Sequence, residues 1–337
     1  MGVGFRLKGI LGYNTVMITS IEIENLRGIA HGKLDGLTGL TVLIGKNGSG
    51  KSSVLDAIWI LTSKQPGKAL DMSANRHSGI SDSKKWFLFK GDSSEKMKIS
   101  GCMEVNGSVL KRVIDFEYDL RYGFVVGTLS DNDVYQFGFA PGEGRVIQGN
   151  PISETKMVGR FSGLGQPIIH DLFSSMTISG REDEAISIIR NILPAIENVK
   201  ILTEGGTPYL FVSYKKHSVP IAITGEGVYA LAQLGLELAL QPGGVVLIEE
   251  PEIHLHPAAI RQTAKVIWGA VRRGVQVILT THSIEFIDGL LEFANGEEEL
   301  AKLSVFRTLL DDGQLKVSRI SGENVEFARN QIGDDLR

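Results

Sequence analysis

Residues 45–52 read Gly45-Lys46-Asn47-Gly48-Ser49-Gly50-Lys51-Ser52, and this octapeptide decides the fold predicted for the chain. It has the Gly-x-x-x-x-Gly-Lys-Ser spacing of a phosphate-binding loop. The apolar run 40–44 precedes it and predicts a buried strand, while residues 53–61 place apolar side chains on one face at helical spacing. Glycines let successive backbone N–H groups point at an anion, and the helix that follows adds partial positive charge. The sequence therefore predicts a strand, a phosphate-binding loop and a helix in succession.

The polar side chains of this loop predict a nucleoside triphosphate as the ligand. We expect Lys51 to reach the β- and γ-phosphates and to act in catalysis, and we expect the Ser52 hydroxyl to ligate Mg²⁺. No motif that would read the base distinguishes ATP from GTP. With ATP and Mg²⁺ as the expected cofactors, the residues predicted to bind the nucleotide here are Gly45, Lys46, Asn47, Gly48, Ser49, Gly50, Lys51, Ser52 and Ser53.

Composition excludes several classes of protein. The 337 residues are 42% hydrophobic and 22% charged, which is typical of a globular protein. The net charge of −4 provides no global positive field for nucleic acid or anionic lipid. A single cysteine, Cys102, excludes an internal disulfide framework. Because no run of about 18 apolar residues and no secretory leader is present, we expect a cytoplasmic protein without a membrane partner.

Hydrophobic patterning divides the chain into segments. Residues 18–25 alternate as a strand, and a turn-rich stretch follows to Gly39. Residues 63–83 are polar and predict a surface loop or a short lobe, and short alternating runs from 86–90 to about residue 147 predict antiparallel hairpins. Three further short runs follow at 199–203, 209–214 and 219–223. Helices and strands alternate over 226–293, and a hairpin is expected around residues 311–313. We predict a flexible N-terminal extension (1–17), one α/β domain (18–320, with its core split into 18–62 and 218–320 around an inserted β and helical lobe, 63–217) and a C-terminal tail (321–337).

Two further strands end in residues suited to phosphate chemistry. The run Val245-Val246-Leu247-Ile248 ends in Glu249 and Glu250. We expect Glu249 to approach Mg²⁺ through water and Glu250 to orient or deprotonate the attacking water. The strand 277–281 ends at His282, a residue that can hydrogen-bond the γ-phosphate and report its loss. The predicted catalytic residues are therefore Lys51, Glu250 and His282.

The extended acidic motif Ile248-Glu249-Glu250-Pro251-Glu252-Ile253-His254-Leu255-His256-Pro257 resembles that of the ABC/SMC-type head ATPases, in the branch with OLD-family and RecF-like proteins. The resemblance implies a P-loop NTPase head with a mixed core sheet, an antiparallel β subdomain and a helical lobe. It makes His282 the switch histidine and 251–257 the loop that crosses a dimer interface. The segment 22–27 is similar to the opening strand of that branch, whose arginine (here Arg27) reaches the nucleotide. Residues 220–227 resemble its signature segment, with Thr224, Gly225, Glu226 and Gly227 as nucleotide-binding residues.

The chain departs from the family pattern at three places. The transporter sequence Leu-Ser-Gly-Gly-Gln is absent, so its serine corresponds to either Thr224 or Gly225. No glutamine between Gln65 and Gln136 can be assigned to the usual Q-loop. Glu249 replaces the commoner aspartate, a change seen within the OLD branch. These departures affect individual contacts and leave the resemblance of residues 18–320 in place.

The resemblance implies an ATP-gated homodimer that acts as a switch for a separate effector protein, such as a nuclease, in DNA repair or antiphage defence. A phosphate loop leaves the γ-phosphate open on one side, and the signature helix of a second copy can close it. Whether DNA is bound stays open. The basic pairs Lys84-Lys85, Lys111-Arg112, Lys215-Lys216 and Arg272-Arg273 could contact its backbone, but such pairs are more often solvated faces. Alternatives are a nucleotide-sensing scaffold with little turnover, or the ATPase subunit of an OLD-type nuclease complex or of a transporter.

Overall fold

The computed structural model describes residues 16–63, 65–77, 84–92, 94–119, 123–132, 134–136, 155–158, 168–253, 255–332 and 336. The strands in these residues are β1 (Val16–Leu26), β2 (Ile29–Asp35), β3 (Leu40–Ile44), β4 (Met97–Val105), β5 (Ser108–Asp119), β6 (Gly123–Asp131), β7 (Val134–Gln136), β8 (Lys156–Val158), β9 (Asn198–Glu204), β10 (Thr207–Ser213), β11 (Ser218–Pro220), β12 (Val245–Glu249), β13 (Gln276–Thr281), β14 (Leu303–Asp311) and β15 (Gln314–Ser321). The helices are α1 (Lys51–Thr62), α2 (Pro66–His77), α3 (Ile169–Ile178), α4 (Glu182–Ile192), α5 (Glu226–Ala239), α6 (Pro257–Arg272), α7 (Ile284–Glu292), α8 (Glu297–Leu300) and α9 (Gly322–Phe327).

Twelve of the described strands form one mixed sheet in the order β7-β6-β5-β4-β1-β2-β15-β14-β3-β13-β12-β8. The strands β14, β3, β13, β12 and β8 run parallel to one another. The strands β2, β1, β4, β5, β6 and β7 pair antiparallel, as the alternating runs of the sequence predict. The predicted hairpins therefore extend the sheet that carries the phosphate loop.

Helices cover both faces of the parallel strands. All residues of β3 and β13 are buried, because α1 packs on one face while α6 and α7 pack on the other. Strands covered on both faces need apolar side chains at successive positions, which explains their continuous hydrophobic runs. Trp268 of α6 is fully buried, and its indole N–H donates to the Leu290 carbonyl at 2.7 Å. This bond fixes α6 against α7 on the side of the sheet opposite to α1.

A second, smaller unit of packing is built from helices and a three-stranded sheet. The helices α3, α4 and α5 enclose a separate apolar cluster with the antiparallel sheet β9-β10-β11. Met176, Ile189, Val212 and Leu236 are fully buried in it. This unit, called the helical lobe below, contains β11 and α5, which the prediction assigned to the core (218–320), and α5 leads from it directly into β12.

Gln276, the first residue of β13, ties the first described strand to the parallel strands. Its buried side-chain amide accepts from the Ile18 N–H at 2.7 Å and donates to the Ile18 carbonyl at 2.8 Å. The same nitrogen donates to the Thr38 carbonyl at 3.0 Å. The pairing of β1 with β4 shifts between Ile18 and Ser20, so the amide binds β1 at an irregular point of the sheet.

Several local predictions are wrong. The expected loop over 63–83 contains α2, whose Leu70 and Ala74 are buried against the core. The expected strand over 86–90 is replaced by two short helical turns, and Lys90 in the second takes a left-handed backbone conformation with φ +54°. The expected strand over 219–223 ends at Pro220 and turns into a helical turn that leads to the signature segment. In the first two cases tertiary contacts decided the conformation against a weak local pattern.

Other elements lie where the sequence predicted none. The strand β2 occupies part of a stretch expected to be turns, and β8 adds an edge strand next to β12. Val16 and Met17, assigned to the N-terminal extension, belong to β1, while residues 1–15 lie outside the described part. The segment after 320, set apart as a tail, forms α9, and Val325 of this helix is fully buried in the core.

Candidate nucleotide-binding site

The polar residues predicted at three strand ends meet at one cavity. The strands β3, β12 and β13 are parallel neighbours, so their carboxyl ends reach the same edge of the sheet. A cavity of about 310 Å³ opens there. Its lining residues are Arg27, Gly28, Asn47, Gly48, Ser49, Gly50, Lys51, Ser52, Ser53, Glu250, His282 and Leu310.

Glycine is required at the start of the phosphate loop. An added Cβ at Gly45, where φ is +153°, would lie 2.5 Å from the Thr308 carbonyl oxygen and 2.7 Å from Ser49 Oγ. Ser49 Oγ and Thr308 Oγ1 are hydrogen-bonded at 2.9 Å and hold the loop against β14. Gly45 and Lys46 do not line the cavity themselves. Their backbone carbonyls accept hydrogen bonds from the Lys51 ammonium.

Lys51 is the first residue of α1 and is only 5% exposed. Its ammonium donates to the Gly45 carbonyl at 2.8 Å and to the Lys46 carbonyl at 3.0 Å. Burial lowers the pKa of Lys51 below its ordinary value of 10.5, and the charges of Glu250, Glu249 and Glu252 act in the opposite direction. The ammonium is therefore held in a place where additional negative charge would stabilise it.

Glu250 and His282 form a direct pair in the cavity. Glu250 Oε1 lies 3.2 Å from His282 Nε2. The backbone of Glu250 is left-handed, with φ +45°, and its N–H donates to both the carbonyl and the hydroxyl of Thr280 at 3.1 Å. Such a conformation is unfavourable for a residue with a side chain and needs support from the surrounding structure. The carboxylate is aimed into the cavity beside an imidazole, an arrangement suited to accepting or sharing a proton.

The structure places Glu249 beside the cavity. It is the last residue of β12 and half-buried, and it is absent from the cavity lining, although its charge acts on Lys51. Within the described residues, no group of three or more His, Cys, Asp or Glu side chains could hold a metal ion by itself. A hydroxyl from Ser52 and one or two carboxylates are hard oxygen donors, which fit a Mg²⁺ ion that keeps several ligands from water and phosphate.

Arg27 joins the cavity from the end of β1. Its Nη1 donates to Asp56 Oδ2 at 2.9 Å, and Asp56 is a fully buried carboxylate on α1. The guanidinium also lies over the Phe87 ring, 5.5 Å from its centroid. Arg27 is thus anchored to the helix that follows the phosphate loop, and its contact with a nucleotide stays a prediction.

The signature residues lie away from this cavity. Thr224, Gly225, Glu226 and Gly227 are absent from its lining and occupy the start of α5 in the helical lobe. Gly225 has φ +126°, and an added Cβ would meet nothing within 4 Å. Gly225 and Glu226 are both exposed. The N-terminus of α5 therefore faces solvent and not the chain's own phosphate loop.

Two of the basic pairs considered for DNA contact are engaged within the protein. Arg112 is fully buried and forms a bidentate pair with Asp131 at 2.6 and 2.8 Å, so the prediction of a DNA contact is wrong for this residue. Arg272 pairs with Glu299 through two hydrogen bonds of 2.8 Å. The exposed Lys215 and Lys216 keep the surface position that the hypothesis needs.

Sequence reasoning missed the residues that hold the site together. Asp56 had a signal, since it is the one acidic residue in the apolar helix α1. Thr280 and Glu252 could also have been suspected from the sequence, because each lies two residues from a predicted site residue. Thr308 gave none, as it lies within an ordinary strand and reaches the phosphate loop only through the pairing of β14 with β3.

Models of two ATPase families match most of the chain. One, described as an AAA ATPase domain, matches residues 17–122, and the other, described as an AAA domain, putative AbiEii toxin, Type IV TA system, matches residues 126–288. In the described residues, no helix combines the length and apolar character needed to cross a bilayer.

Relatives and solved structures agree with these matches. An uncharacterised protein of Methanocaldococcus jannaschii is 36% identical over 115 residues, which span 34% of this chain and 98% of that protein. An ATP/GTP phosphatase of Helicobacter pylori is 23% identical over 361 residues, covering 92% of this chain and 97% of that protein. The Smc head domain of Pyrococcus furiosus, solved with the C-terminal domain of ScpA, superposes with a TM-score of 0.57 at 15% identity and covers 95% of this chain and 100% of that one. These matches support an SMC-like P-loop ATPase, since models of AAA ATPase domains cover residues 17–122 and 126–288 and the chain has the fold of the SMC head.

Proposed function

We propose that this chain binds and hydrolyses ATP with Mg²⁺, and that two copies close around the nucleotide to form a switch for a partner protein. The observation that carries the proposal is the convergence of Lys51, Ser52, Glu250 and His282 on one cavity. A lysine, a hydroxyl and a carboxylate–imidazole pair are the groups that phosphoryl transfer to water requires.

Each side chain has a separate task in the proposed reaction. Lys51 donates to phosphate oxygens and neutralises the charge that develops on them. Glu250 accepts a proton from the attacking water as the new P–O bond forms and the bond to the leaving diphosphate oxygen breaks. His282 donates to the γ-phosphate or to Glu250. Ser52 and Glu249 would hold Mg²⁺, which would supply Lewis acidity and charge neutralisation.

The position of the signature segment supports the dimer. The N-terminus of α5 is exposed and lies outside the chain's own cavity, so any contact it makes with a triphosphate comes from a second copy. Its free N–H groups and helix dipole favour an anion. Two identical faces of this kind are self-complementary, so a twofold dimer buries two nucleotides. Loss of the γ-phosphate removes the contacts that hold the halves together.

The cellular setting rests on similarity. The Helicobacter pylori relative named as an ATP/GTP phosphatase supports turnover. The similar Smc head is bound to a domain of ScpA, which supports a separate protein partner. The matched description that names a putative toxin of a toxin–antitoxin system supports antiphage defence, with DNA repair as the other setting. We place the switch in the cytoplasm, with a nuclease or another effector as its partner.

Phosphate release by the purified chain tests the proposal. We expect Mg²⁺-dependent release from ATP, loss of binding and release in Lys51→Ala, and loss of release with retained binding in Glu250→Gln. GTP in a parallel assay reports the base preference. Binding without release by the wild-type chain would favour the nucleotide-sensing scaffold, and absence of binding would refute the proposal.

A further inference from the structure

Glu252 is a buried carboxylate beside the site for which neither the motif nor the comparisons give a role. It lies in the loop between β12 and α6 and is 8% exposed. Its Oε1 accepts from the Thr281 hydroxyl at 2.5 Å and from the His282 backbone N–H at 3.0 Å. Its Oε2 is also buried and has no hydrogen-bond partner among the described residues. Burial of a carboxylate is costly, so these two bonds indicate a specific use.

The hydrogen bonds continue from this carboxylate through the turn that carries His282. Thr281 Oγ1 accepts from the Ser283 N–H at 3.0 Å, and Ser283 Oγ accepts from the Phe286 N–H at 3.0 Å, which caps α7. The turn between β13 and α7 is thereby bonded at successive residues. Of these bonds, the ones to Glu252 are those that connect the turn to the loop after β12.

We propose that Glu252 is a positioning residue for ATP hydrolysis, which holds the His282 backbone so that the imidazole stays against the Glu250 carboxylate. The inference rests on the proposed function, since it concerns the same reaction. Glu252 does not line the cavity itself and acts through the backbone of His282, which does. The 3.2 Å contact between His282 Nε2 and Glu250 Oε1 is the geometry that it maintains.

Matched substitutions at both ends of the 2.5 Å hydrogen bond distinguish the loss of that bond from the loss of side-chain volume. Glu252→Gln keeps an acceptor oxygen for both bonds, whereas Glu252→Ala removes it. Thr281→Ser keeps the hydroxyl, whereas Thr281→Val removes it with little change in volume. Val212→Ala, in the fully buried cluster of the helical lobe, is a control for general loss of stability.

Hydrogen exchange and steady-state kinetics give independent readouts. In the nucleotide-free protein, we expect faster exchange of the His282 amide in Glu252→Ala than in the wild type or Glu252→Gln. With Mg-ATP, we expect kcat to fall about 10- to 100-fold in Glu252→Ala and Thr281→Val, the size typical of lost supporting hydrogen bonds at a site. KM and nucleotide affinity are expected to stay within about threefold, since Lys51 and the loop are intact.

Two results would overturn the inference. One is a kcat in Glu252→Ala within about twofold of wild type despite faster exchange, which would make the residue structural only. The other is a parallel loss of kcat, affinity and melting temperature that Val212→Ala reproduces. If the wild-type chain releases no phosphate, the proposed function fails, and positioning for hydrolysis fails with it. The exchange measurement would still report whether Glu252 orders His282, so the two failures are distinguishable.

Discussion

Gly45 is the residue at which the phosphate loop leaves least room. An alanine Cβ there would meet the Thr308 backbone oxygen at 2.5 Å, so the loop or β14 has to move. We expect Gly45→Ala to lower ATP affinity more than about tenfold, because phosphate binding depends on loop geometry. Gly107→Ala is the matched control, since φ there is also positive, at +81°, and no atom lies within 4 Å of an added Cβ. It should lower the free energy of unfolding by about 1 kcal/mol and leave ATP affinity unchanged. Titration with a fluorescent ATP analogue checks both, and equal affinities would contradict the expectation.

At the same scale, the sequence predicted most of the residues that line the cavity but not how they contact one another. Lys51, Ser52, Glu250 and His282 follow from motif spacing because each stands at the end of a buried strand or the start of a helix. The direct contact between Glu250 and His282 was not predictable, since it depends on the left-handed backbone at Glu250. Glu252 needed the structure as well, because its partners are about thirty residues away in the chain.

Among the elements, α1 is connected to the antiparallel strands by one buried cation. Arg112 of β5 pairs with Asp131 of β6 and also donates to the Leu61 carbonyl near the end of α1 at 3.3 Å. Removing one partner leaves the other charge buried and unpaired, so we expect Asp131→Asn to lower the free energy of unfolding by about 3 kcal/mol. Lys316→Ala, which breaks an exposed pair with Asp311, should cost less than about 1 kcal/mol. Urea unfolding measures both, and equal costs would refute the assignment.

The helix α8 is held to α6 by a pair that depends on pH. Two hydrogen bonds from Arg272 and one from the Asn295 N–H lower the pKa of Glu299 from 4.5 to about 2. A carboxylate with a lowered pKa stabilises the fold above pH 4.5, and the contribution disappears as the pH falls toward 2. Because Arg272 is 37% exposed, we expect Glu299→Gln to cost only about 1 kcal/mol at pH 7. Urea unfolding at pH 7 and at about pH 3 checks this. A difference in unfolding free energy between the wild type and Glu299→Gln that is as large at the lower pH would contradict it.

Elements with strong periodicity were predictable and those fixed by distant contacts were not. The strands β3, β12 and β13 follow from continuous apolar runs, and α5, α6 and α7 from helical spacing. The helix α2 was missed because its sequence is polar and only a few side chains, such as Leu70, are buried. The strand β2 was missed because its pairing with β1 and β15 compensates for a glycine in its middle.

For the whole molecule, the proposed site made by two copies predicts rescue between two inactive variants. Lys51→Ala removes the ammonium of the phosphate loop and leaves the signature helix intact. Gly225→Asp leaves the phosphate loop intact and places a carboxylate at the exposed start of the signature helix. Each alone should be inactive. An equal mixture should recover about one quarter of wild-type phosphate release, since half of the dimers contain one intact composite site out of two. Absence of rescue, or activity in Gly225→Asp alone, would contradict a site made by two copies.

The overall architecture could be predicted only in part for a physical reason. Motif spacing identifies the α/β core, because the residues that bind phosphate must stand at one edge of a parallel sheet. Continuity of twelve described strands could not be foreseen, since it depends on β15 pairing with both β14 and β2.

The side chain of Gln276 carries a consequence for how the sheet can misfold. An amide offers the same donor and acceptor as a peptide group, so this residue imitates one unit of a neighbouring strand at Ile18. A displacement of β1 by one position would break both bonds and turn its inward side chains toward solvent. The pairings of β1 with β2 and β4 set its register, and β4 to β7 follow β1 in the sheet. The glutamine thus adds two side-chain hydrogen bonds that a displaced β1 would lose.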